Sequence, residues 1–393
     1  MLIVGGGITG LLIALKLYKD HQLTVIDIGP DPRFNVHTFG ATYSGLDARH
    51  ISFTETDPWT STDRIETIMT SSVDKGWLCI PKKDLTDFEK KWILKFQETA
   101  RNELIHKFNT SEVIELNKRG ILEWEKLGKE YDFLKPISYE SVMPIICRNR
   151  EDLIGEYDFE SSLDKRSRIY KNMILPNSLK PLLQRQEELG NLGYFTVYGK
   201  AYSIKTICNK LIDFLKSEGV SFLWNKSYSN IPTDTIVWAS GVSLEASNLL
   251  EKFSILLGGV IGCWIAMDNP GITQACKIYA GEPVNYINIT PEGSNLYLSG
   301  GYGFVGVRPY GEAVKMAQPI IEYMTEEVKK WFPGSKIKNK AFCVRPSTPT
   351  GVPVLIKHKL NKIPIIFAVG HCAGGFTQAP YTAERVKSLM EET

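Results

Sequence analysis

The segment MLIVGGGITGLLIAL sets four glycines within residues 5–10, between a short apolar stretch and a run with helical apolar spacing. A second apolar stretch, Leu23 to Gly29, follows that run. Strand, glycine turn, helix and strand in this order predict a βαβ unit with parallel strands and a right-handed crossover. Gly5, Gly7 and Gly10 fit the pattern G-x-G-x-x-G. The first permits the tight turn off the strand, the second lets backbone approach a pyrophosphate, and the third lets helix and strand pack closely. The helix start, carrying Ile8 and Thr9, then offers free N–H groups and a partial positive charge to phosphates. Asp27 ends the second strand about twenty residues downstream, where a carboxylate accepts ribose hydroxyls. A dinucleotide is the expected ligand, and a nicotinamide or a flavin suits this unit equally well. The alternative is a glycine-rich buried helix with Asp27 as a solvated strand end.

Charge and cysteine usage remove several other classes. Lys+Arg 46 against Asp+Glu 44 leaves little net charge, and the absence of long like-charge blocks argues against nucleic acid as a partner. The seven cysteines are odd in number, scattered, and contain no C-x-x-C pair. They read as reduced thiols of a cytoplasmic protein, neither a disulfide framework nor a metal site. The longest apolar run, Phe253 to Met267, is shorter than the eighteen or so residues a membrane span needs and is broken by glycine. It reads as a buried strand pair or a bent strand, so no integral membrane association is expected. The first residues lack a basic n-region, which predicts no signal peptide.

At 393 residues the chain has room for two domains. Residues from about 60 to 189 are polar and read as helical. Tyr202 to Trp224 reads as helix, glycine stop and strand, and Asp234 to Gly241 as a strand ending in glycine. The aromatic segment from Lys277 to Gly303 has the Pro and Gly punctuation of an antiparallel sheet. The end of the chain, IPIIFAVGHCAGGFTQAPYTAERVKSLMEE, reads as strand, turn and helix.

Three segments together resemble the FAD-dependent D-amino-acid oxidase, glycine oxidase and sarcosine oxidase family: IVGGGITGL with Asp27, VRPSTPTGVPVL (Val344 to Leu355) and VGHCAGGFTQAP (Val369 to Pro380). The resemblance selects FAD. It implies an α/β protein, α+β overall, in which a discontinuous Rossmann-like FAD domain (1–54, 196–252 and 339–393) interleaves with a substrate domain of largely antiparallel sheet plus helices (55–195 and 253–338). In relatives the arginine of the RP-x-T-P-x-G element holds the substrate carboxylate, which points to Arg345, and a planar guanidinium suits a carboxylate through paired charged hydrogen bonds. Gly370, Gly374, Gly375, Phe376 and Thr377 match the final turn that faces the flavin, and Gly241 matches a glycine beside the cofactor. Thr42, Ser44 and Gly45 fall in a loop that relatives set against the flavin ring, and Arg49 and His50 are candidates to tune it or are plain surface charges. Cys343 stands where sarcosine oxidases carry the cysteine bonded to the flavin, so it reads as a covalent attachment point or as a small buried residue. Tyr286 and Tyr302 lie in pocket-lining segments or in the core, and His371 is a packing group in a glycine turn, not a base.

The implied activity is oxidation of an amino-acid C–N bond by hydride transfer, giving an imine that hydrolyses to a 2-oxo acid. The substrate is a D-amino acid or glycine-like molecule, and the electron acceptor is oxygen or another oxidant. Relatives activate oxygen with a lysine on a central strand, and here Tyr297 stands about there. An N-methyl or cyclic secondary amino acid is the alternative substrate, and a non-catalytic flavin-binding subunit or sensor is the alternative of another class.

Overall fold

The computed structural model describes all residues except 35–49, 55–79, 138–141, 148, 172–175, 183–184, 186–187, 189–192, 229–230, 243, 282–284 and 393. The fold is built on two sheets. In the first, β1 (Leu2–Val4) pairs parallel with β2 (Thr24–Ile26), as the glycine-linked βαβ reading requires. The full order adds β7 (Ser221–Leu223), β8 (Ile236–Trp238), β14 (Val354–Leu360) and β15 (Ile363–Val369), giving β14-β15-β8-β1-β2-β7. Only β14 runs antiparallel, as a hairpin with β15.

Helices cover both faces of this sheet. On one face α1 (Ile8–Leu17), α5 (Ile204–Ser217) and α8 (Gly375–Glu391) share a core that includes Leu11, Ile207, Leu211, Ala379 and Val386. On the other, α6 (Leu244–Glu251) seats Ala246 and Leu250 against Leu2, Val4 and Trp238. Each such aliphatic side chain contributes about 1.5–3 kcal/mol on burial, so the short strands are held mainly by what packs on them.

The second sheet is built from β3 (His50–Ser52), β4 (Val142–Cys147), β5 (Arg168–Lys171), β6 (Gly193–Ala201), β9 (Gly258–Asp268), β10 (Cys276–Gly281), β11 (Asn285–Glu292), β12 (Asn295–Gly300) and β13 (Ile337–Ser347). Its order is β13-β9-β12-β11-β10-β4-β6-β3, with β5 also on β6. The pairings are antiparallel except between β10 and β4. Alternation along the strands separates two faces. Ile261, Cys263, Ile265, Leu298, Ile287 and Ile278 pack under α7 (Tyr310–Trp331) through Ala317, Ile320, Met324 and Val328. The opposite face carries Arg345 beside Val260, Cys343 beside Gly262 and, farther along, Trp264, Ser299, Asn288 and Lys277 in successive pairs across the sheet.

Three details differ from the sequence reading. Phe253–Met267 is not a strand pair. Its first residues form a turn with Ser254 at φ 59°, and β9 then runs from Gly258 as one strand of 11 residues. The polar region holds α2 (Asp87–Arg101), α3 (Glu103–Glu130) and α4 (Arg150–Leu163), but also β4 and β5. Strand β4, VMPIIC, is too short for its apolar character to emerge from polar surroundings. Strands β3, β6 and β13, which lie wholly or partly in segments the sequence reading gave to the cofactor lobe, hydrogen-bond into the second sheet. Helix α2 is anchored toward it: Thr86 and Glu89 form a capping box, Arg308 pairs with buried Glu89, and Trp92 Nε1 donates to the Ser347 carbonyl at 3.0 Å.

Candidate cofactor and substrate site

The turn after β1 has no room for side chains. Gly5 has φ 114°, and a Cβ there would stand 2.3 Å from the Ala239 carbonyl oxygen. A Cβ at Gly10 would stand 1.9 Å from the Gly5 oxygen. Gly7 caps α1 in an extended conformation without a side-chain hydrogen bond, so the first-turn N–H groups beside Ile8 and Thr9 face the turn, as an anion site requires. Asp27 accepts from Gly6 N at 2.7 Å through Oδ2 and from Gly29 N at 2.8 Å through Oδ1. Those two bonds fix the carboxylate plane at the end of β2.

Unpartnered buried polar atoms lie on two of these segments, beside the glycine turn and at the start of α8. Among the described residues, Trp224 Nε1, Ser240 Oγ, Thr377 Oγ1 and Gln378 Oε1 have no hydrogen-bond partner. The Trp224 ring lies 2.6 Å from a Cβ placed at Gly6, and Ser240 Cα lies 2.8 Å from one placed at Gly5. An unsatisfied buried group costs about 1–3 kcal/mol, so donors and acceptors left open in this way suit a polar ligand. Gly241 follows with φ 70°, and Gly370, at φ 86°, would bring a Cβ within 2.5 Å of Thr348 Cγ2. Gly374 and Gly375 start α8 without a side-chain cap. Phe376 stacks on Trp124 with ring centres 4.5 Å apart, and its carbonyl accepts from Trp124 Nε1 at 2.9 Å. These residues fit a dinucleotide with pyrophosphate at α1. Thr42, Ser44, Gly45 and Arg49 lie outside the described residues.

Arg345 is on β13 and only 8% exposed. Its Nη1 donates to the carbonyls of Ile261 and Gly301, each at 3.0 Å, and the guanidinium lies 4.9 Å from the centre of the Tyr302 ring. A Cβ on Gly262 would come within 2.3 Å of Nη2, so that glycine makes the bed for the side chain. Burial pulls the guanidinium toward deprotonation. The thiols of Cys343, Cys372 and Cys263 and the Tyr302 hydroxyl outweigh it, and the pKa is raised. No carboxylate pairs with Arg345 among the described residues. A buried cation balanced only by carbonyls and weakly acidic groups is ready for an anion.

The other sequence candidates divide. Cys343 is buried two residues from Arg345 on the same strand. Tyr302 touches the guanidinium, as above, whereas the Tyr286 hydroxyl donates to Glu156 on α4. His50 is buried on β3, with Nε2 3.1 Å from the Ile289 carbonyl, so it is not a surface charge. Burial lowers the pKa of His371 to about 4, and its Nε2 bonds Thr382 Oγ1 at 2.9 Å. Tyr297 packs on Trp264. Sequence reasoning passed over Gly262, Trp224, Ser240 and Gln378. Glycine inside the apolar run GGVIGCW was the available signal for Gly262, because glycine in a strand marks close approach; the others carry no local pattern.

A parallel sheet with a glycine cradle, joined to an antiparallel sheet holding a buried arginine, defines the class: a dinucleotide-dependent oxidoreductase fold. The model of the DAO family, FAD dependent oxidoreductase, matches residues 1–389, and the chain belongs to this family. Its cofactor is FAD. No curated protein sequence matches significantly. The fold is similar to glycine oxidase from Geobacillus kaustophilus (15% identity, 100% of this chain and 94% of that one, TM-score 0.62). It is also similar to iminodiacetate oxidase from Chelativorans sp. BNC1 (15%, 100% and 95%, 0.61). L-alpha-glycerophosphate oxidase from Mycoplasma pneumoniae, solved with FAD bound, gives 13%, 100% and 94%, and 0.63. Among the described residues no helix is long and apolar enough to cross a membrane, and no group of three metal-binding side chains occurs.

Proposed function

We propose that this oxidoreductase oxidises the C–N bond of a carboxylated amine, a D-amino acid or glycine-like molecule, to an imine that hydrolyses to a 2-oxo acid. The observation that carries the reading is Arg345, a buried guanidinium without a carboxylate partner among the described residues. Its fork takes the substrate carboxylate, and Tyr302 closes one side. Bound FAD supplies the two-electron acceptor for the hydride of the substrate carbon. The glycine turn, Ile8, Thr9 and Asp27 take the pyrophosphate and ribose, with Ser240, Gly241, Gly370 and Gly374 to Thr377 completing the cradle. The six-stranded sheet with α1, α5 and α8 forms the cofactor lobe, and the second sheet with α4 and α7 forms the substrate lobe. The six cysteines among the described residues are buried and form no disulfide there, which favours the cytoplasm.

Anaerobic titration of the yellow protein with a panel of amino acids and amines tests the reading. Carboxylated amines should bleach the flavin band, and their decarboxylated counterparts should not. A flavin that no amine bleaches would leave the non-catalytic reading instead.

One observation favours the secondary-amine alternative: Cys343 is buried two residues from Arg345 and faces the same side of β13. A thioether there goes with sarcosine-like substrates. Acid precipitation then leaves a yellow pellet from the native protein and a colourless one from Cys343→Ala; a colourless native pellet removes the covalent bond.

A further inference from the structure

Residues 301–308, GYGFVGVR, join β12 to α7 and help to seat Arg345. The Gly301 carbonyl accepts from Nη1 at 3.0 Å, and the centre of the Tyr302 ring lies 4.9 Å from the guanidinium. The other carbonyl that takes Nη1 belongs to Ile261, whose own N–H donates to the Gly303 carbonyl at 2.7 Å. Gly259 donates to the Gly306 carbonyl and accepts from Val305 N, each at 2.9 Å, and Arg345 is paired with Val260 between these two residues of β9. The seat of the guanidinium therefore depends on how the backbone of residues 301–308 lies on β9. With φ 79° at Gly301 and 61° at Gly306, and a further glycine at 303, that backbone is permissive, so a tie from outside has to fix it.

Glu89, in the first turn of α2, is that tie. Its Oε1 accepts from Val307 N at 3.2 Å and from Arg308 Nη1. Its Oε2 accepts from Arg308 Nη2 at 2.8 Å, and from Thr86 N at 2.8 Å and Thr86 Oγ1 at 2.9 Å. A Cβ on Gly306 would stand 1.9 Å from Oε1, so the carboxylate lies directly on the backbone of the segment. Three residues on and on the same side of the helix, Trp92 stacks on Phe304 with ring centres 4.5 Å apart and donates to the carbonyl of Ser347, two residues past Arg345. One face of α2 thus fastens residues 301–308 and the strand of the guanidinium to each other. Capping alone does not require this. A capping box needs only an acceptor for the N-cap N–H, whereas Glu89 is 1% exposed. A buried ion pair is often no more stabilising than apolar packing of the same volume; what this one adds is a fixed geometry for the segment.

We infer that Glu89 is a positioning residue for substrate binding: by clasping Val307 and Arg308 it holds residues 301–308 in the conformation that sets the Arg345 guanidinium for the substrate carboxylate. The inference rests on Arg345 as the carboxylate anchor. Glu89 itself meets neither substrate nor cofactor; it acts through the Gly301 carbonyl, the Tyr302 ring and the Ile261 carbonyl.

The FAD-loaded protein is bleached anaerobically with glycine, D-alanine and sarcosine, and the half-saturating concentration and the limiting rate are read separately, per bound flavin. Glu89→Gln should raise the half-saturating concentration about tenfold and leave the limiting rate within about twofold, because carboxylate binding is weakened and the chemical step is not. Added to Arg345→Ala, Glu89→Gln should have no further effect on that concentration, since residues acting through one contact are not additive. Asn102→Ala, which removes the cap of α3 beyond the far end of α2, should lower the melting temperature and leave both constants unchanged. If Glu89→Gln does not fold, Arg308→Lys, which keeps the charge and loses the fork, should raise the same concentration about threefold. A concentration unchanged in Glu89→Gln, or raised equally with and without Arg345, overturns the inference while Arg345 remains the anchor. If Arg345→Ala itself changes nothing, or none of the three compounds bleaches the flavin, both readings fall.

Discussion

Arg345→Ala is expected to raise KM for a carboxylated substrate about 100-fold or more, while the purified protein keeps its FAD. A paired, charge-assisted contact to carboxylate contributes about 3 kcal/mol, and every 1.4 kcal/mol or so is a factor of ten. Stability should change little. Truncation removes two bonds to the Ile261 and Gly301 carbonyls, but it also removes a buried cation that no carboxylate balances among the described residues, and these effects have opposite sign. Arg345→Lys keeps the charge and loses the fork, so its KM should fall between. An independent arm comes from Gly262→Ala, whose Cβ would stand 2.3 Å from Nη2. It displaces the guanidinium without touching its charge and should raise KM in the same substrates. An unchanged KM in both variants, measured by steady-state kinetics, would remove Arg345 from substrate binding.

Gly10→Ala is expected to abolish FAD binding, read as loss of flavin absorbance from the purified protein. The added Cβ would lie 1.9 Å from the Gly5 oxygen, a backbone atom with no rotamer to change. α1 must withdraw from β1, which costs about 1–3 kcal/mol in packing and moves the helix N-terminus off the phosphates. Gly6→Ala should be milder, because the atom it meets belongs to the Trp224 side chain. Gly219→Ala is the control. Its φ is 88°, but nothing lies within 4 Å of the new Cβ, so it should lose about 1 kcal/mol of stability and retain full flavin. Flavin retained by Gly10→Ala would mean that the turn is not the pyrophosphate site.

The two sites were legible to different degrees, for a physical reason. Gly5, Gly10 and Asp27 act through backbone geometry within one βαβ unit, so short-range spacing records them. Arg345 could be read from its motif, yet what makes it a site is Gly262 on β9 and Gly301 beyond β12, supplied by sheet pairing that leaves no spacing in the sequence. His50 read as a tuning group or a surface charge because it follows a turn-like stretch, whereas its strand is an edge of the second sheet. Strand β4 was missed because six residues inside a polar region cannot shift a window dominated by helical composition.

The contact of α1 with α8 bears on how the molecule assembles. Lys16 pairs with Glu384 across 368 residues of chain, and Lys387 pairs with Asp20 across 367. The sheet beneath follows suit, since β1 has β8 as a neighbour and β15 lies beyond it. Contacts this distant impose a large loop-closure cost before they return any stabilisation, and they slow folding. On the reading proposed above, the flavin cradle needs both the glycine turn and Gly370 to Thr377, so it is completed only once the later segment has been synthesised and packed against α1, and cofactor loading follows that step.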